Sequence, residues 1–113
     1  KQVCAKPVAR EAWLFDDVAP HWDELILRSW ITENGNEVLY QEGPVGSLRT
    51  PQELAQGHFG QEVIPEGSVM CCGTVNAIGG IRPASDFIME LHDPVLDRRI
   101  RHRYSVRVLP EIA

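Results

Sequence analysis

The spacing of apolar and polar positions along the chain predicts strands far more often than helices. Between Glu24 and Thr32, Leu25, Leu27 and Ile31 share one parity while Ile26, Arg28 and Trp30 share the other, which is the two-residue period of a strand. Asn34-Gly35 follows, a pair that tolerates the positive φ of a type I′ turn, so Glu37 to Gln41 returns as the second arm of a hairpin. Val69 to Thr74 is an unbroken run of small and apolar residues, which predicts a strand buried on both faces. Ala84 to Leu91 and Arg99 to Leu109 complete the strands, with a tight reversal between them at Asp93-Pro94 and Asp97. The last strand alternates cleanly: Ile100, His102, Tyr104, Val106 and Val108 oppose Arg99, Arg101, Arg103, Ser105 and Arg107. One face packs, and the other meets water or a partner.

The helix signal is local. Thr50-Pro51-Gln52-Glu53 places a capping residue at Thr50, proline at the first helical position and the acid of a capping box at Glu53. Gly57 keeps that helix short, and closing one edge of a sheet is its expected role. Pro7 keeps Lys1 to Val8 extended, and Asp16-Asp17 with Pro20 marks a turn region. Pro65-Glu66-Gly67 is a turn, and Asn76 to Pro83, with Gly79-Gly80, is a loop. The expected fold class is mainly β (α+β): a rolled or barrel-like mixed sheet of about six or seven strands with one short helix.

Composition narrows the classes. At 113 residues the chain is a single domain, and 43% hydrophobic with 24% charged residues excludes a disordered chain. No apolar run reaches the roughly 20 residues of a membrane helix and no signal peptide heads the chain, so the expected setting is cytoplasmic with no membrane partner. The chain opens on Lys1 rather than Met, as expected of a piece of a longer polypeptide or a trimmed product. The net charge of −5 is uneven, for residues 98 to 113 carry five arginines and one acid. In an acidic protein whose arginines are not interleaved with exposed aromatics on their own face, nucleic acid is not the expected partner. A solvated face paired with the acidic remainder, or a subunit interface, is.

Cys4, Cys71 and Cys72 are odd in number, and two of them are adjacent, so they are read as reduced, small apolar residues. His21, His58, His92 and His102 lack zinc-type spacing, and no metal site is expected from this chain alone. Two features carry candidate chemistry. Gly73-Thr74 puts a hydroxyl and backbone N–H groups at a strand end, where a small anion can be gripped. Glu90 lies among Ile88, Met89 and Leu91, apolar on both parities, and a carboxylate buried there needs a cation, a histidine or a substrate. It serves either as a general base or as the structural partner of an arginine on the last strand.

Pro65-Glu66-Gly67-Ser68-Val69 followed by Cys72-Gly73-Thr74 resembles the turn, strand and glycine-threonine segment of the fumarylacetoacetate hydrolase family. Arg49-Thr50-Pro51-Gln52-Glu53-Leu54 resembles that family's preceding helix start, and the Asn34-Gly35 hairpin and the Lys1 to Val8 stretch are placed as in the family. Gly80 to Pro83 and Asp93-Pro94-Val95-Leu96 resemble a less characterised bacterial branch. The likeness spans nearly the whole chain but only the C-terminal portion of a complete family domain.

The resemblance implies a metal-dependent hydrolase or lyase that cleaves a carbon–carbon bond in a 1,3-dicarbonyl acid, or decarboxylates a similar small oxo acid. Glu90 would activate the attacking water, Lys1 would stabilise negative charge, and Gly73, Thr74 and Arg82 would bind substrate. The implied cofactor is Mg²⁺ or Mn²⁺, with ligands expected upstream of this chain, and the implied assembly is a homodimer. Gly73-Thr74-Val75 departs from the family's glycine-threonine-proline, and the family's metal carboxylates and catalytic histidine have no counterpart here, so this chain alone is expected to be inactive. The competing expectation is a noncatalytic β-domain that binds a small acid or a partner subunit, with Glu90 held by arginine.

Overall fold

The computed structural model describes residues 4 to 112. A short helix α1 (Phe15–Val18) runs into a 3₁₀ segment (Ala19–Glu24), and the hairpin β1 (Ile26–Glu33) and β2 (Asn36–Pro44) follows. A 3₁₀ turn (Val45–Ser47) and helix α2 (Pro51–Phe59) come next, then a long irregular stretch, then β3 (Asp86–Asp93) and β4 (Arg98–Ser105). The four strands form one open antiparallel sheet in the order β2-β1-β3-β4. The architecture is mainly β as expected, but the expectation of a rolled or barrel-like mixed sheet with six or seven strands is corrected.

Local signals set the elements that did form. Asn34 and Gly35 take φ of 50° and 78°, the paired left-handed conformations that a two-residue hairpin turn requires. The Thr50 hydroxyl accepts from the Glu53 N–H while Glu53 accepts from the Thr50 N–H, at 3.1 and 3.2 Å, closing the capping box. The helix runs through Gly57 to Phe59 before Gly60 ends it.

Val69 to Thr74 is not a strand. Met70 and Cys72 are half-buried beside Phe15, Trp22 and Ala55, while Val69 and Cys71 are exposed. The run packs on one side only and joins no ladder, for among the described residues no strand pairs with it. The last strand stops at Ser105 instead of Leu109 for a related reason: its partner β3 begins at Asp86, which pairs with Ser105. Only the Val106 N–H to Ser85 carbonyl bond continues beyond that point.

The core sits at one end of the sheet, where Val18, Leu25 and Val45 are buried against Trp13, Trp22, Leu27 and Leu91. Asp93, fully buried, fastens this end. One carboxylate oxygen accepts from the N–H groups of Val95 and Leu96 at 3.0 and 3.1 Å, shaping the β3–β4 reversal. The other lies 2.9 Å from His21 Nε2 and accepts from Arg98 Nε at 3.3 Å, while the Arg98 guanidinium sits 4.5 Å over the Trp13 ring. Among the described residues, no helix is long and apolar enough to cross a membrane.

Burial alone would raise the Asp93 pKa, but the His21 bond and the two backbone N–H groups outweigh it and hold the carboxyl at about 2. A carboxyl depressed in the folded state stabilises above its ordinary value and loses that contribution as pH falls through the folded value. Stability should therefore fall between the ordinary carboxylate pKa of 3.8 and about 2. In urea titrations across that range, Asp93→Asn should be less stable at neutral pH and show a shallower acid loss; identical pH profiles would contradict the assignment.

Candidate functional site

Strand alternation gives the sheet two chemically different faces. Leu27 and Ser29 of β1, Phe87, Met89 and Leu91 of β3, and Ile100 and His102 of β4 occupy one of them. With the crossing segment Gly73-Thr74-Val75 they line a largely apolar pocket of about 300 Å³. A chain of hydrogen bonds fixes its polar side. Ser29 Oγ donates to Gln41 Oε1 at 2.7 Å, and Gln41 Nε2 donates to Thr74 Oγ1 at 3.0 Å and to the Val75 carbonyl at 2.7 Å. Since the Thr74 oxygen accepts from Gln41, its own hydroxyl hydrogen remains available to donate. Gly73 has φ of 112°, a conformation that strains any side-chain-bearing residue, and the chain reaches Thr74 through that bend.

The opposite face carries a transverse row of alternating charge. Glu42 of β2, Arg28 of β1, Glu90 of β3 and Arg101 of β4 are register partners across the whole sheet. Arg28 Nε donates to Glu42 at 2.7 Å, and Arg28 Nη1 donates to Glu90 Oε1 at 3.2 Å and to His92 Nδ1 at 2.9 Å. An arginine cannot accept, so His92 carries its ring proton on Nε2. Arg99 and Arg101 each approach Glu90 to 3.7 Å from β4. The bond to Glu42 does most to raise the Arg28 pKa; burial opposes it, and Glu90 adds to it.

Of the residues singled out from sequence, Gly73, Thr74 and Glu90 line the pocket, Glu90 beside its partner Arg28. The Glu90 side chain is 4% exposed and its carboxylate is engaged by arginines on the opposite face of the sheet. The arginine contact anticipated from β4 is present, and Arg28 on β1 adds a closer one. Arg82 is occupied elsewhere: it pairs with Glu33, donates to the carbonyls of Ile78 and Gly80, and lies 5.1 Å over the Tyr40 ring. It clasps its own loop to the hairpin. Lys1 lies outside the described residues. Ser29 and Gln41 were not singled out from sequence.

Cys4, Cys71 and Cys72 are free, and burial pushes the Cys72 thiol up, away from a reactive thiolate. Among the described residues, no group of three or more His, Cys, Asp or Glu side chains converges to hold a metal ion. The Mg²⁺ or Mn²⁺ that the resemblance implies was expected to take its ligands upstream of this chain; what the described residues offer is a directed hydroxyl donor beside a largely apolar pocket.

A family model described as "Protein of unknown function (DUF2848)" matches residues 1–104. No curated protein and no solved structure matches the chain.

Removing a buried charge while leaving its partners in place is costly. Glu90→Gln should lower unfolding stability by about 2–4 kcal/mol, because Arg28, Arg99 and Arg101 would lose the buried carboxylate they share, leaving Glu42 on Arg28 and the long Glu37 contact on Arg101. Denaturant midpoints would show this, and an unchanged midpoint would contradict a structural role for the carboxylate.

Proposed function

The chain belongs to the DUF2848 family, and for this member we propose that the concave sheet face binds a small oxo acid, with Gly73-Thr74 forming the substrate-binding wall. The observation that carries this is the one-way hydrogen-bond chain from Ser29 through Gln41 to Thr74. It fixes the Thr74 oxygen as an acceptor and leaves its hydroxyl to donate, and a carboxylate or carbonyl oxygen is the natural recipient. Leu27, Met89 and Leu91 offer apolar cover for the aliphatic part of such an acid, and His102 adds a second polar group. A volume near 300 Å³ suits a small ligand.

The fuller reading, taken from the resemblance to the fumarylacetoacetate hydrolase family, makes this wall part of a metal-dependent hydrolase or lyase. What fits in the described residues is substrate positioning by Gly73 and Thr74; no bond-cleaving step is assigned to them. Enclosure of Glu90 by Arg28, Arg99 and Arg101 favours the binding reading over a water-activating role for that carboxylate.

Calorimetric titration with 2,4-dioxopentanoate, a small dicarbonyl acid, should show binding to the native protein. Thr74→Val keeps the shape and deletes the donor, and a hydrogen bond to a charged group contributes about 1.5–3 kcal/mol, so affinity should fall about tenfold or more. Equal affinity in the variant, or no binding by the native protein, would overturn the proposal.

A further inference from the structure

The sheet ends on β4, which pairs with β3 alone among the described residues and leaves its outer edge open. That edge is chemically patterned. Arg99, Arg101 and Arg103 project on the face that holds Glu90, with side chains 50%, 52% and 62% exposed. Ile100, His102 and Tyr104 alternate with them on the pocket face. The carboxylates that reach these arginines come from Glu37, Asp86 and Glu90 at 3.7 to 3.9 Å, all on strands inward of β4. A guanidinium carries five N–H donors in a planar fork, so these long contacts, with Arg101 also lying 4.9 Å over the Trp30 ring, leave donors unused on side chains that are at least half exposed.

The row Glu42, Arg28, Glu90, Arg101 alternates in sign across the sheet and stops on a cation at the open edge. The complementary next member is an acid. Opposite charges directly across a strand pair are favourable and like charges unfavourable. A second copy of β4 does not supply the acid: antiparallel self-pairing centred on Arg101 or His102 sets arginine against arginine. On the other face, Ile100 is half-buried and Tyr104 is 38% exposed, so apolar residues at alternate positions of an added strand would find apolar neighbours there.

We propose that the outer edge of β4 is a docking site for an extended segment of a partner protein, one with Asp or Glu at every second position and apolar residues between. It joins as a fifth strand, with main-chain hydrogen bonds supplying affinity and the arginines supplying register and selectivity. The proposal does not require the oxo-acid pocket to be occupied, although Ile100 and His102 line that pocket as well.

Two blocked, labelled nonapeptides serve as probes, one alternating Glu with Val and Thr and the other carrying Lys in place of Glu. Fluorescence anisotropy should show binding of the Glu peptide, with affinity falling as salt is raised. Amide exchange at Arg98 to Ser105 should slow about tenfold or more on saturation. Arg103→Glu changes an arginine whose one ion pair, with Asp86, is long and exposed; it should weaken the Glu peptide about tenfold and strengthen the Lys peptide. Equal binding of both peptides, binding of neither, or protection of β4 that depends only on protein concentration would overturn the proposal. These outcomes would indicate, respectively, nonspecific association, arginines that merely guard the edge, and self-association.

Discussion

A carboxylate buried among guanidinium groups is the constraint on which the sheet depends. Glu90 is 5% exposed, and desolvating its charge costs several kcal/mol unless cations are held close, which Arg28, Arg99 and Arg101 do from both flanking strands. A slip of one residue in either strand pair would turn Glu90 away from these partners and bring Leu27 or Ile100 to its side. The ion pairs therefore specify register as well as contributing stability. They also sort the sheet, placing charge on one face and leaving the other to build an apolar concavity.

A single irregularity gives that concavity its polar side. The pairing of β1 with β2 shifts between Ser29 and Trp30, and Tyr40 is the unpaired extra residue. The bulge sets Gln41 opposite Ser29 and Glu42 opposite Arg28; continuing the register of the turn would instead have set Tyr40 opposite Ser29 and Gln41 opposite Arg28. Both the Ser29–Gln41–Thr74 relay and the Arg28–Glu42 contact exist because of it. Tyr40 itself packs edge-on against Phe87 and accepts a hydrogen bond from the Arg82 N–H through its hydroxyl.

Sequence features that act within a few residues were the legible ones. Asn34-Gly35, the Thr50 capping box and the Asp93 to Asp97 reversal each use local backbone chemistry, and each formed where expected. Strand existence at Val69 to Thr74 was not legible, because a strand needs a neighbour and composition does not say whether one is there. In the candidate site, Gly73 and Thr74 were readable as a polar group at the end of an apolar run, and Glu90 as a carboxylate in need of a partner. Which partners each met was not readable, since pairing of β3 with β1 and β4 and the path of the Gly73 segment are set by tertiary contacts between distant residues. Gln41 was missed because its parity on β2 depends on the bulge at Tyr40, which no residue type announces.

The most direct test of the central ion pair is a double-mutant cycle on Arg28 and Glu90, read as unfolding free energy with Arg28→Met, Glu90→Leu and the pair together. If the buried carboxylate and its closest arginine hold the sheet in register, each single variant leaves its partner only secondary ion pairs, Glu90 with Arg99 and Arg101 or Arg28 with Glu42, while the double variant regains part of the loss, with a coupling of about 2 kcal/mol or more. Additive losses, with no coupling between the two positions, would contradict the account.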